Sequence, residues 1–144
     1  MKQDTPVSFL LKSIRTEQYA LMEDVFNEKA KISLNTKINF KINSKNKQVG
    51  AFVGFSFDQN KKTFLIIQVS CHFKIEETSW KTFLETDPSK VVIQKGFLAH
   101  LASLTVGTAR GVLFAKTEGT PFNKYIIPTI NVAKIIKNDA TFPL

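Results

Sequence analysis

Between Phe97 and Ala115 the chain carries one charged side chain, Arg110. No other stretch limits the fold as much. It is long enough for about five helical turns, and a helix without a polar face has to be covered on nearly every side. Ala99, Ser103, Gly107, Gly111 and Ala115 recur at every fourth position. Residues four apart share a ridge, so these small ones form a strip that another backbone can approach closely. Leu98, Leu101, Leu104, Val112 and Leu113 fill much of the remaining circumference. A chain of 144 residues has one sheet to lay against such a helix. A second copy is therefore expected to cover the rest, with the five small residues as the oligomer interface.

The first two-thirds read as strands. Val7, Phe9 and Leu11 alternate with Ser8 and Lys12, and the pattern blurs near Ser13 before resuming at Tyr19 to Met22, as at a bulge. Ile32, Leu34, Ile38, Phe40 and Ile42 alternate with lysines and asparagines, the pattern of an antiparallel strand with one wet face. Val49 to Phe57 and Leu65 to Ile75 repeat the alternation, separated by the polar turns Ser44–Lys47 and Asp58–Lys61. Thr78 to Lys95 breaks it and reads as a crossover loop leading to the helix at Gly96–Lys116, which ends near Gly119-Thr120-Pro121. Tyr125 to Ile130 reads as extended before Pro128, and Val132 to Ile136 as a short last helix. The fold class is α+β: one domain over 1–144, a four-stranded antiparallel meander with a long helix and a short C-terminal helix on one face.

Cys71 is the one cysteine, which excludes an intrachain disulfide and fits a reducing, cytoplasmic setting. Met1 to Pro6 shows no apolar leader segment. Arg110, His100 and several hydroxyl residues argue against membrane insertion of the long helix. Cys71 and His72 are neighbours on a strand, so they point to opposite faces. No Cys or His pair has zinc spacing. Glu76 and Glu77 diverge in the same way, and Gly107 and Gly111 lack a phosphate-loop context. No catalytic residues, metal or cofactor follow from the sequence, and an enzyme is not expected. The net charge is +8, concentrated between Lys29 and Lys62, where eight lysines face only Asp58. A basic nucleic-acid-binding or scaffold domain is therefore the alternative reading. Against nucleic acid, Phe40 points away from Lys37 and Lys41, and stacking platforms need aromatics and cations on one face.

The C-terminal third resembles the SecB family of export chaperones. The residues that carry this are Ala109-Arg110-Gly111, then Thr117-Glu118-Gly119-Thr120-Pro121-Phe122, then Ile127-Pro128-Thr129-Ile130-Asn131-Val132. Ser8 to Ile14 is similar to the family's bent first strand. The resemblance implies a nucleotide-independent holdase, a dimer of dimers joined through the long helices, that binds unfolded polypeptide in protein export or for a dedicated client such as an antitoxin. It also implies apolar client grooves, with Trp80, Phe83, Leu84, Phe97, Leu101, Phe122, Ile126, Ile127 and Ile130 as candidates by position. Trp80 and Phe83 lead because the crossover reads as a loop. Family members that dock on the SecA motor are acidic on the outer sheet face. This chain places Lys31, Lys37, Lys41 and Lys74 there, which leaves SecA an open question.

Overall fold

The computed structural model describes residues 6–144; the leader reading of residues 1–5 lies outside them. Four strands form one antiparallel sheet: β1 (Phe9–Leu21), β2 (Ser33–Asn43), β3 (Gln48–Gln59) and β4 (Lys62–Ile75), in the order β1-β4-β3-β2. The meander β2–β3–β4 follows from its turns. Asn43 Oδ1 accepts from Asn46 N–H, and Lys47 takes a φ of 52°. Between β3 and β4, Asn60 and Lys61 both have positive φ, 51° and 67°. That is the handedness a two-residue hairpin needs to match strand twist. β1 returns along β4 with register shifts at Leu11/Ser13 and Thr16/Gln18, so the interrupted pattern is a pair of bulges.

Gln59 is buried at the end of β3 and fully used. Its Nε2 donates to the carbonyls of Asn27 and Ala30, and its Oε1 accepts from Asn27 N–H. One side chain thus pins the β1–β2 connection to the sheet. Such a tie is invisible to periodicity.

The expected crossover loop is corrected. Glu77–Phe83 forms a short helix, α1, and Lys90–Ile93 a strand, β5. Trp80 and Phe83 are three apart, so one helical turn sets both against the sheet, their ring centroids 5.6 Å apart. Seven residues are too few for a helical period to stand out. A further strand, β6 (Ala140–Pro143), pairs antiparallel with β5 and was not expected.

The long helix, α2, runs Lys95–Thr117 and lies over β3 and β4. It is long and apolar enough to cross a membrane by length and composition. Here its Leu98, Leu101, Ala102, Thr105, Val106, Ala109 and Leu113 are buried in the chain's own core. Val53, Phe55, Phe57, Phe64, Leu65, Ile67 and Val69 meet one half of it, and Val49, Ala51, Cys71, Phe73 and Ile75 lie in the core region that holds the other. The short final helix, α3, is a single turn over Val132–Ile135.

Candidate functional site

Helix α2 has one covered side and one open side. Ser103, Gly107, Gly111 and Ala115 are exposed and Ala99 is half-buried, so the small-residue ridge faces out of the chain. A β-carbon added at Gly107 or Gly111 would meet nothing within 4 Å. Ala99, Ser103, Gly107 and Gly111 floor two depressions. One, of about 630 Å³, lies between Gly96, Ala99, His100 and Ser103 and the segment Thr129–Ala133. The other, of about 360 Å³, is bounded by Gly107, Arg110, Gly111, Phe114, Tyr125 and Ile126.

The far wall of both depressions is positioned by the end of the helix. Gly119 takes a φ of 79°, which reverses the chain. Thr120 Oγ1 donates to the Thr117 carbonyl and Asn123 Nδ2 to the Phe114 carbonyl, satisfying carbonyls the last turn leaves free. Arg110 then fixes the extended segment. Its Nε donates to the Ile127 carbonyl at 2.7 Å and its Nη2 to the Pro128 carbonyl at 2.8 Å. Ile127 is thereby turned inward and buried, while Ile126 is 56% exposed beside Phe114.

The nine residues proposed for client contact do not form one open groove. Trp80, Phe83 and Leu101 are buried around the α1 end of the core, with Leu84 and Phe97 half-buried against them. Phe9, Phe83 and Phe97 make a chain of ring contacts there, at 5.4 Å for Phe9–Phe97 and 6.1 Å for Phe83–Phe97. Phe122 and Ile127 are buried in the other half of the core, with Ile130 half-buried beside them. The reason for favouring Trp80 and Phe83, a loop with little packing, is corrected by the helix that buries them. Leu84, Phe97, Ile126 and Ile130 keep solvent-facing surface.

Several apolar residues outside that set are also open. Leu11 and Ile14 lie opposite Phe73 and Cys71 on the helix-side face of the sheet, yet are 45% and 49% exposed because α2 covers β3 and β4 instead. Leu104 and Phe114 are exposed on the helix itself. The signal for Leu104 and Phe114 was present in the sequence, since a helix with no polar face must leave apolar residues outside whenever a single sheet covers it.

On the opposite face of the sheet, Ser70 is buried and its hydroxyl bonds Glu17 Oε1 at 2.6 Å and His72 Nε2 at 2.9 Å. Partial burial lowers the His72 pKa, Arg15 adds to this, and Glu17 opposes it. Cys71 is buried on the core side. Among the described residues no three or more His, Cys, Asp or Glu are grouped to hold a metal ion. What the open surfaces offer chemically is apolar area to be buried.

A solved structure similar to this chain is a SecB-like chaperone. It comes from Mycobacterium tuberculosis, in complex with a peptide from an antitoxin; the match has 7% identity and a TM-score of 0.45, and covers 85% of this chain and 91% of that one. No protein-family model and no curated protein matches the chain.

Proposed function

We propose that this protein is a SecB-like holdase: a non-enzymatic, nucleotide-independent chaperone of the cytoplasm that shields extended apolar segments of unfolded polypeptide. The observation that carries this is the number of large apolar side chains left exposed on the helix and in the elements beside it: Leu11 and Ile14 of β1, Leu104 and Phe114 of α2, and Ile126. Large exposed apolar surface on a folded chain marks an interaction face. The element order supports the reading too. A four-stranded sheet, a long helix, a Gly-Thr-Pro-Phe turn and an extended segment before a short helix follow the SecB resemblance.

The surface has two roles in this proposal. The small ridge at Gly107 and Gly111 receives the helix of a second copy, giving a dimer of dimers. Clients lie along the flanks, where Ile126 and Ile130 stand on one side and Leu84 and Phe97 on the other. Binding draws on apolar burial, about 25 cal/mol per Å², offset by the ordering of the client. The basic outer face disfavours docking to a positively charged motor surface, so a dedicated client fits better than hand-off to SecA.

Trp80→Ala and Phe83→Ala are poor probes, since truncating buried aromatics costs about 3–5 kcal/mol of stability. Ile126→Ser with Ile130→Ser is the better pair. Titrated with a chemically denatured client without nucleotide, the double variant is expected to bind at least about tenfold more weakly, from two lost apolar contacts, and wild-type binding is expected to survive moderate salt. Unchanged affinity in the folded double variant overturns the client surface.

A further inference from the structure

The outer face of the sheet, away from α2, carries a pattern that the chaperone reading does not use. The register sets three rows across the strands. Asn39, Phe52, Ser70 and Arg15 stand side by side; the row on one side is Lys41, Gly50 and His72, and on the other Lys37, Gly54 and Gln68. Phe52 therefore has a glycine before and after it on its own face, and a lysine across from each glycine. A β-carbon at Gly50 would come within 3.0 Å of Phe52 Cε1, so the ring leans over the bare backbone of Gly50. Lys41 Nζ lies 4.9 Å from the ring centroid, and the His72 ring meets it edge-on at 5.5 Å. Lys37, Lys41 and Arg15 are exposed. Two acids share this face: Glu17, which accepts from Ser70, and Asp58, at the far end, which accepts from Asn35 and Thr63.

We propose that this face is a platform for single-stranded nucleic acid, with a base stacked on Phe52 and phosphates neutralised by Lys37, Lys41 and Arg15. Phe40 points inward, away from Lys37 and Lys41, and the neighbouring strand supplies Phe52 on the cationic side. Lys37 and Lys41 are four residues apart on an extended strand, about 13 Å, so a chain crossing Phe52 meets a cation on either side of it. The occupant is argued from charge and from the ring together. An acidic polypeptide would use the lysines but gain little from the half-buried Phe52 ring, which Lys41 Nζ overlies and which a base reaches by displacing that ammonium toward a phosphate. A nucleobase uses both, largely irrespective of sequence.

The test is anisotropy of labelled oligothymidylate and oligouridylate with the full chain, at several salt concentrations, with polyglutamate as the competing polyanion. Binding is expected, weakening steeply with salt. Lys37→Gln with Lys41→Gln should reduce the log–log salt slope by about 1.4, two phosphate contacts on a single strand. Phe52→Ala should weaken binding roughly five- to hundredfold. Phe52→Leu keeps the apolar volume but removes the stacking face, and is expected to fold normally, bind denatured client as wild type does, and still lose oligonucleotide affinity. The proposal is overturned if neither oligonucleotide binds at low salt. It is overturned equally if folded Phe52→Leu binds them undiminished, or if polyglutamate displaces them at equal concentration, which would make the face a site for acidic polypeptide.

Discussion

Arg110 shows how one residue can look anomalous in the sequence and become explicable only in three dimensions. A lone cation in a stretch otherwise fit for burial has to reach either water or a set of acceptors. It reaches the carbonyls of Ile127 and Pro128, backbone acceptors in a segment that lies outside the helices and strands. The fork of the guanidinium allows both bonds at once, and a lysine ammonium does not reproduce it. Arg110→Lys keeps the charge and loses the clamp. It is expected to cost about 1.5 kcal/mol, the low end for charged hydrogen bonds at a half-exposed site. Urea unfolding checks this: the midpoint should fall with the slope unchanged. An unchanged midpoint would mean that the segment 125–131 is held by the packing of Ile127 and Val132 alone.

At the scale of elements, α2 separates what the chain does for itself from what it leaves undone. Since no described residue lies within 4 Å of a β-carbon at Gly111 and the position opens on a depression, Gly111→Leu should not destabilise an isolated protomer. At protein concentrations low enough to dissociate wild type as well, its urea stability is expected to hold or to rise by about 0.5–1 kcal/mol from better helix propensity. Light scattering should at the same time show the proposed tetramer divided into smaller species. A less stable protomer would contradict the open ridge, and an intact tetramer would remove the ridge from the interface. The strands and α2 were legible because each repeats its period over many residues: β4 alternates for most of Lys62–Ile75, and α2 lacks charge for most of its length. What was missed is short or depends on distant partners. α1 has seven residues, and β6 has four, Ala140–Pro143, whose partners at Lys90–Ile93 lie far back in the chain. The same holds for the crossover: its sequence reads as a loop, and one helical turn makes Trp80 and Phe83 part of the core.

The whole molecule combines a well-filled interior with an outside that is unusually apolar around one helix and unusually basic on the far face of the sheet. Among the described residues no buried side-chain polar atom lacks a hydrogen-bond partner, so the interior of a single chain is complete in that respect. The exposed Leu11, Ile14, Leu104 and Phe114 are among the apolar side chains that remain to be covered. If copies of the chain cover them, folding and assembly are linked by mass action, and stability depends on concentration. A tenfold increase in protein changes the free energy by about 1.4 kcal/mol for each association step. Three steps are shared by four chains in a tetramer, about 1 kcal/mol per chain. At roughly 2–4 °C per kcal/mol for a chain of this size, the thermal midpoint should rise by about 3 °C for every tenfold increase. Gly111→Leu should flatten that dependence toward the smaller value of a dimer, about 2 °C by the same arithmetic. Scanning calorimetry across two decades of concentration decides it. A wild-type midpoint that does not move would mean that the apolar face of α2 stays open to solvent in the folded protein, and the second copy would have to be abandoned as its cover.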